Sequence, residues 1–554
     1  MLSSSKPDRP IESSDSRSND AVKDPPRGFA PTLQQLGPGL IIAGSIVGSG
    51  ELIATTKAGA QAGISLLWLI IVGCVIKVFA QIELGRYSIT HGQTTLDALN
   101  TLPGPRLRVS WILWYWLLMM LCTIGQLGGI VGGVGQAMAI SFPITGDYRE
   151  AILLPSQGEL TQHIQWEARI AEEAAEFATL SEDEQQRVRT GVEAMNRRLE
   201  QLGQRGQTAL ETVRAGESLA DPWTVDDRYW AAAVAVVTCV LLYIGRYGLI
   251  QNISTVLVVS FTFITVGNVY ALQSNPEWKI PLAEWINGLT PQIPESGKAL
   301  GTALATFGII GVGAAELIFY PYWCMEKGYG RFTGPRSDDD AWSHRARGWM
   351  RVMQIDAFVS MIVYTVATLA FFVMGVAVLH RMGLDPDGMR MVSTLAESYV
   401  PVFGEYAKWL FLVGAIAVLY STFLVALASQ TRLYTDGLKI WRLISPTDEG
   451  VHERWISIFG VVLPLACLTL YWAGLNPVKA VLLSGLMQAI MLPMLGFAAI
   501  YFRIKRTDPR LAPSRLWDVF LGLSSLGLLI AGGWGAYEQI VNKILPAIQS
   551  WLGG

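Results

Sequence analysis

The chain contains apolar segments that are each long enough to cross a lipid bilayer. About 20 residues at a rise of 1.5 Å per residue span the hydrocarbon core of a membrane as an α-helix. Eleven such segments occur, over residues 38–56, 64–90, 110–141, 229–248, 252–273, 301–325, 355–380, 404–431, 455–473, 477–502 and 516–545. The sequence therefore predicts an all-α membrane protein with about eleven transmembrane helices.

The composition agrees with lipid as the surrounding solvent. The 554 residues are 51% hydrophobic and only 16% charged, which is more apolar surface than one soluble core can bury. We therefore expect neither a soluble enzyme nor a cofactor. The net charge of −3, with basic residues confined to short segments between the apolar ones, predicts no binding of nucleic acid. The five cysteines lie singly in apolar segments, so no disulfide framework or zinc site is expected.

Polar segments divide the chain into five parts. We expect a disordered cytosolic tail over 1–33, transmembrane helices 1–3 over 34–141, an external helical insertion over 142–228, helices 4–11 over 229–545 and a tail over 546–554. Arg and Lys cluster in short loops on one side of this arrangement, which the positive-inside rule assigns to the cytoplasm. The amino terminus is then cytoplasmic, and such a multi-pass cell membrane protein fits a bacterial inner membrane.

One seven-residue pattern occurs twice. Residues 47–53 read Val-Gly-Ser-Gly-Glu-Leu-Ile in the first span, and residues 312–318 read Val-Gly-Ala-Ala-Glu-Leu-Ile in the sixth. An asparagine-to-serine spacing is likewise shared by the fifth and tenth spans. Spans one to five therefore repeat as spans six to ten. Because each copy has an odd number of helices, the two copies have opposite orientations in the membrane, which is an inverted repeat.

Glycines in the middle of the repeated spans predict a break in each helix. Unwound backbone at membrane depth is tolerated where it lines a buried cavity, and Gly48, Gly50 and Gly313 mark the expected breaks. Pseudo-twofold symmetry brings Glu51 and Glu316 together at the membrane centre, where carboxylates are costly and usually functional. The alternative is that each glutamate is protonated and caps backbone amides beside it. Two carboxylates facing one cavity suit a cation, and without one we expect at least one glutamate to hold a proton.

Further oxygen ligands are expected at the break and on the tenth span. The backbone carbonyl of Val312 is freed at the break, and water can complete the shell of an ion that dehydrates reluctantly. Ser484 and Gln488 lie one turn apart and are candidates for the cavity wall. The metal site predicted from the sequence consists of Glu51, Glu316, Gly48, Val312, Gln488 and Ser484.

Short motifs recur near the helix ends in a characteristic order. They are Gly37-Pro38-Gly39 before the first span, Gly85-Arg86-Tyr87 through Thr90-His91-Gly92 after the second, Ser421-Thr422 through Ala428-Ser429-Gln430 in the eighth, and Asn476-Pro477 through Leu492-Pro493 in the tenth. With these motifs, residues 37–503, apart from the insertion over 142–228, resemble the Nramp family of proton-coupled divalent metal transporters. The resemblance implies the LeuT fold, a 5+5 inverted repeat with broken helices one and six. It also implies a divalent cation as the transported substrate.

The differences from that family fall on its metal-binding motifs. Where the family carries Asp-Pro-Gly-Asn, residues 48–51 read Gly-Ser-Gly-Glu, and its Met-Pro-His corresponds to Ala-Glu-Leu at 315–317. Loss of the thioether favours harder ions, here Mg²⁺ or Mn²⁺. The family's acidic pair in the third span corresponds to Thr123 and Gln126, so the usual proton relay is missing. This pattern is similar to that of the Nramp-related magnesium transporters.

Three functional interpretations follow from the sequence. The first is a secondary transporter of a divalent metal cation that works by alternating access around spans one and six. The second is a transporter of an organic or monovalent substrate on the same fold, since a fold does not determine a substrate. The third is a membrane sensor that transports nothing. Both a monomer and a homodimer are compatible with the sequence.

Overall fold

The computed structural model describes residues 22–171, 177, 178, 182–217, 219, 222–244, 247–292, 297–403 and 405–539. Most of the tail predicted over 1–33 and the whole tail predicted over 546–554 lie outside the described residues. In the described part, ten continuous helical stretches are long and apolar enough to cross a membrane. The first of them, Gly50–His91, contains the end of the first predicted span and all of the second. Because this one stretch covers parts of two predicted spans, the ten stretches agree with the prediction of about eleven spans.

The helical spans follow the predicted order along the chain. They are Pro38–Ile46 continued by Val47–Thr55 and Thr56–Ala62, Leu67–His91, Trp111–Ser141, Asp226–Ile244, Tyr247–Ser274, Gly297–Ile309 followed after a break by Ala314–Lys327, Asp340–Met374 continued by Gly375–His380, Glu405–Ile440, Glu449–Trp472, Pro477–Lys505 and Arg515–Gln539. We refer to them as the first to the eleventh span.

Short elements lie in the connections between the spans. The short helices are Phe29–Gln35, Gly63–Leu66, Thr95–Asn100, Leu282–Leu289, Tyr329–Thr333, Gly388–Arg390, Met391–Glu397, Val400–Phe403 and Pro509–Leu511. Before the third span, β1 (Arg106–Leu107) and β2 (Val109–Ser110) form an antiparallel hairpin.

The sixth span is interrupted, as the repeated motif predicts. Its first half ends at Ile309, residues 310–313 are not helical, and its second half begins at Ala314. Gly311 has a φ of 55°, a left-handed conformation that glycine adopts without steric cost. A Cβ at this position would lie 3.0 Å from the Cα of Cys74 and from the ring of Tyr364. The break is therefore packed tightly against the second and seventh spans.

The first span departs from α-helical geometry in a different way. It stays helical, but Val47–Thr55 forms a π-helix. The Thr422 hydroxyl of the eighth span accepts a hydrogen bond from the Gly48 N–H and donates one to the Gly44 carbonyl, both at 2.9 Å. In an α-helix those two backbone groups would pair with each other. Because an inserted side chain opens the hydrogen-bond ladder, the predicted break near Gly48 takes the form of a widened helix, not of unwound backbone.

The π-helical segment of the first span lies at the centre of the molecule. The sixth, seventh, eighth and tenth spans all pack against it. Its described side chains, from Val47 to Thr55, are buried. The carboxylate of Glu51 is thereby placed deep within the bundle.

The polar region between the third and fourth spans contains several helices. They are Asp147–Ala151, Gln157–Ala171, Glu182–Leu202 and Gln204–Arg214. Leu160, Leu199 and Leu210 form a small apolar core among them. Tyr148 donates a hydrogen bond to the Met389 carbonyl. This contact joins the insertion to the connection between the seventh and eighth spans.

Candidate cation site

Glu51 joins the first span to the break in the sixth. Its side chain is fully buried, and Oε1 accepts hydrogen bonds from the Gly311 N–H at 3.1 Å and from the Thr368 hydroxyl at 2.7 Å. Oε2 is buried and has no hydrogen-bond partner among the described residues. Glu51 therefore caps an amide of the opposite repeat, not one beside it in its own helix. One of its oxygens is left available for another ligand.

Glu316 makes the reciprocal contact from the sixth span. It lies in the first turn of the helix that restarts after the break. Its Oε1 accepts a hydrogen bond from the hydroxyl of Ser45, in the first span, at 3.1 Å. The residue is 8% exposed, whereas Glu51 is 0% exposed. Each glutamate thus contacts the span that carries the other one, as expected for two helices related by an inverted repeat.

The tenth span brings amide and hydroxyl groups to the same break. Gln488 Oε1 accepts a hydrogen bond from the Ala315 N–H at 3.1 Å. Its Nε2 donates to Gln126 Oε1 at 3.3 Å, and Ser484 donates to the same oxygen at 2.6 Å. Gln488 therefore lies directly at the restart of the sixth helix, and Ser484 is linked to it through Gln126.

The other predicted positions are Val312, Gly313 and Gly48. Their side chains carry no donor atoms, so only their backbone or their small size can matter. Val312 is fully buried within the break. A Cβ at Gly313 would lie 2.5 Å from Glu316 Oε2 and 2.7 Å from Gln488 Oε1. Glycine at this position therefore leaves room for two side-chain oxygens. Gly48 is needed for close packing, because a Cβ there would lie 2.3 Å from Thr422 Oγ1.

Several residues of this region were not identified from the sequence. Lys77 of the second span is fully buried and donates hydrogen bonds to the carbonyls of Phe307 and Ile310, the latter at 2.8 Å. It interacts electrostatically with Glu51 and with Glu316. A lysine inside an apolar span is itself a recognisable signal. The roles of Ser45, Thr368 and Thr422 carry no such signal, since hydroxyl residues are common in membrane helices.

Asp356, in the seventh span, has a structural role. Its Oδ1 accepts a hydrogen bond from the Gly37 N–H at 2.9 Å, and its Oδ2 accepts one from the Gly39 N–H at 2.6 Å. The Tyr320 hydroxyl also donates to Oδ2, at 3.1 Å. Asp356 therefore holds the start of the first span, and Gly39 permits its close approach, since a Cβ there would lie 2.8 Å from Oδ2.

The side-chain groups around the break carry oxygen atoms. The described residues contain no cluster of three or more His, Cys, Asp or Glu side chains able to hold a metal ion. Two carboxylates and an amide oxygen lie around the break instead, together with its backbone.

Several solved structures have a similar fold, among them structures of a manganese transporter. The manganese transporter of Eremococcus coleocola, as a His-to-Ala mutant, is 13% identical, with a TM-score of 0.57 and coverage of 92% of this chain and 88% of that one. A Glu-to-Ala mutant has 14% identity, a TM-score of 0.56 and the same coverage. The complex with an aromatic bis-isothiourea compound has 14% identity, a TM-score of 0.54 and again the same coverage. At such identities the likeness concerns the fold, and it confirms the predicted LeuT-fold architecture.

Sequence comparison assigns the family. No curated protein sequence matches the chain. The model of the natural resistance-associated macrophage protein-like family matches residues 215–537, which is more than half of the chain and includes the whole second repeat. The chain belongs to the Nramp family of membrane transporters.

Proposed function

We propose that the protein is a secondary transporter of a divalent metal cation. The observation that carries the proposal is that Glu51 contacts the sixth span at Gly311 while Glu316 contacts the first span at Ser45. Manganese is the substrate named for the transporter whose structures share this fold. Burying two carboxylates within a membrane bundle costs free energy, so such residues usually serve a function. Carboxylates are well suited to binding a cation.

The donor atoms favour a hard divalent ion, Mg²⁺ or Mn²⁺. The groups around the break are carboxylate, amide and backbone oxygens, including Glu51 Oε2, Glu316 and Gln488 Oε1. Such oxygens prefer hard cations, whereas thioether and imidazole select softer metals. Val312 would contribute its backbone carbonyl, and Ser484 would orient Gln488 through Gln126.

The proposed transport does not use a proton relay through the third span. Thr123 and Gln126 stand where the family has acidic residues. Gln126 Oε1 accepts hydrogen bonds from Ser484 and Gln488, so its amide serves to organise the tenth span. An amide cannot take up and release protons as a carboxylate can. Proton exchange, where it occurs, would fall to the two glutamates themselves.

The proposed orientation places the amino terminus and the basic loops in the cytoplasm. The Lys23 N–H donates a hydrogen bond to the Phe332 carbonyl, which joins the amino-terminal segment to the connection between the sixth and seventh spans. In the connection before the eleventh span, hydrogen bonds from Arg510 lower the pKa of Asp508 to about 2. Arg336 pairs with the same carboxylate at 3.0 Å. These contacts put the amino-terminal segment and two basic connections, before the seventh and the eleventh spans, on one side, which supports the positive-inside assignment.

Flux into proteoliposomes tests the proposed function. Purified protein would be supplied in turn with Mg²⁺, Mn²⁺, Ca²⁺, Na⁺ and amino acids, with the internal pH recorded. We expect uptake of Mg²⁺ or Mn²⁺. Uptake of Na⁺ or amino acids without divalent uptake would favour the second interpretation of the sequence, and no uptake at all would favour a sensor.

Charge-removing substitutions test the site. We expect Glu51→Gln and Glu316→Gln to weaken divalent binding by about 1–3 kcal/mol each, the range for a lost charged interaction. Calorimetry on folded protein measures this difference. Glu150→Gln is the matched control, because its side chain is 74% exposed and far along the chain, in the insertion. If both site variants bind like the parent protein, the paired-carboxylate site is wrong.

A further inference from the structure

Lys77 is a buried cation that the proposed function leaves without a role. It lies in the helix Leu67–His91 and is 0% exposed. Its ammonium group donates hydrogen bonds to the carbonyls of Phe307 and Ile310 and lies 4.7 Å from the centre of the Phe307 ring. These carbonyls end the first half of the sixth span, where the helix dipole is negative. The ammonium group therefore places a positive charge at the negative end of this half-helix.

One peptide group connects Lys77 to Glu51. The carbonyl of Ile310 accepts a hydrogen bond from the Lys77 ammonium at 2.8 Å. The N–H of Gly311 belongs to the same peptide group and donates to Glu51 Oε1 at 3.1 Å. An ammonium on its oxygen and a carboxylate on its N–H polarise that peptide in the same direction, so the two hydrogen bonds strengthen each other. Lys77 and Glu51 thus form an ion pair relayed through the backbone of the break.

The two glutamates have different surroundings. Glu51 is buried completely and receives the relayed charge of Lys77 together with the Thr368 hydroxyl. Glu316 is slightly exposed, and its Oε2 lies close to the backbone of Gly313, where a Cβ would be only 2.5 Å away. The carboxylate of Glu316 is therefore the better placed to meet an ion entering from water.

We propose that Lys77 is the built-in counter-cation of the site. It balances Glu51 and leaves one net negative charge, carried by Glu316, for the transported ion. This inference rests on the proposed divalent transport. A divalent ion then forms a complex with a net positive charge, which favours release once the site opens. Two unbalanced carboxylates would hold the same ion more tightly and release it more slowly.

A double-mutant cycle tests the charge balance. We expect Lys77→Met to tighten Mn²⁺ binding by about tenfold and to lower the maximal transport rate, because release becomes slower. Glu51→Gln should weaken binding by about tenfold. The double variant restores one net negative charge, so its affinity should return toward that of the parent protein. Calorimetry measures the affinity, and proteoliposome flux separates KM from the maximal rate.

Lys279→Met is the matched control, since Lys279 is an exposed lysine outside the spans, and it should change neither quantity. Weaker binding by Lys77→Met, or a double variant as weak as Glu51→Gln, would overturn the proposal. If Lys77→Met fails to fold both alone and together with Glu51→Gln, Lys77 has a structural role only, and the proposal is overturned as well. The proposed function is judged separately, by whether the parent protein takes up Mn²⁺ or Mg²⁺ at all.

Discussion

At the scale of single residues, the distortion of the first span comes from one hydroxyl group. Thr422 occupies the position between the Gly44 carbonyl and the Gly48 N–H and bonds to both. Gly48 makes this possible, because any side chain there would collide with Thr422. A threonine and a glycine on different helices thus determine where the π-helix begins. The π-helical segment in turn carries Glu51 toward the break in the sixth span.

Removal of this hydroxyl should destabilise the protein. Thr422→Val keeps the shape of the side chain but removes the partner of the buried Gly48 N–H. The Gly44 carbonyl keeps only the longer hydrogen bond from Ser421, at 3.4 Å. We expect a loss of about 1–3 kcal/mol in unfolding free energy, together with reduced divalent binding because Glu51 is no longer held in place. Thermal denaturation in detergent and calorimetry measure the two effects. Thr422→Ser keeps the hydroxyl and is the matched control. Equal stability of the Val and Ser variants would show that the inserted hydroxyl contributes nothing.

At the scale of elements, the first and sixth spans depart from α-helical geometry in different ways. The sixth span stops and restarts around residues 310–313, whereas the first span only changes its hydrogen-bond period over Val47–Thr55. Both irregular segments present backbone or side-chain oxygens to the centre of the bundle. A π-helical segment within an α-helix is often found at functional sites. The asymmetry is therefore compatible with one shared site between the repeats.

Two glycines of the break should respond differently to alanine. Gly311→Ala forces a side chain into a left-handed conformation against Cys74 and Tyr364, so we expect a lower unfolding temperature. Gly313 has an ordinary φ of −70°, and Gly313→Ala adds a methyl group beside Glu316 and Gln488. We expect Gly313→Ala to retain more stability than Gly311→Ala but to bind Mn²⁺ more weakly. Thermal denaturation and calorimetry on both variants decide this, and the reverse order of stabilities would contradict the assignment.

At the scale of the whole molecule, the insertion is a charged subdomain attached to the transporter. Residues 142–228 contain 17 acidic and nine basic side chains. Arg390, from the connection after the seventh span, lies 3.7 Å from Glu159 of the insertion and also donates a hydrogen bond to the Leu154 carbonyl. We propose that this acidic surface lies outside the cell near the entrance and raises the local concentration of cations.

Neutralising exposed carboxylates should slow uptake at low salt. Glu193, Glu200 and Glu211 are exposed on the insertion helices. We expect the triple Glu→Gln variant to take up a subsaturating divalent cation about twofold more slowly at an ionic strength of about 10 mM. At about 150 mM the difference should disappear, because salt screens charges beyond about 8 Å. Initial uptake rates across a salt series measure this.

The control for this prediction removes positive charge from the same surface. Arg169, Arg197 and Arg205 are exposed there as well, and their joint substitution by Gln should speed uptake at low salt. Equal rates for the acidic variant, the basic variant and the parent protein at low salt would show that the insertion does not steer cations.

The sequence by itself determined the features that depend on short stretches of chain. Span length and apolar composition follow from the thickness of the bilayer. The repeated motif indicated the inverted repeat and singled out Glu51, Glu316 and Gly313, since both copies can be read within seven residues. The break in the sixth span followed because glycine lowers the cost of leaving the helix.

Only the tertiary structure decided the contacts between distant parts of the chain. Glu51 and Gly311 are 260 positions apart, and Gly48 and Thr422 are 374 positions apart. No local sequence pattern specifies which hydroxyl inserts between the hydrogen-bonded groups of a helix. Nor does one specify to which carbonyl a buried lysine donates. The form of the first span and the pairing of Lys77 with Glu51 therefore depended on how the helices pack, because each arises only when groups from separate spans meet in a dry interior.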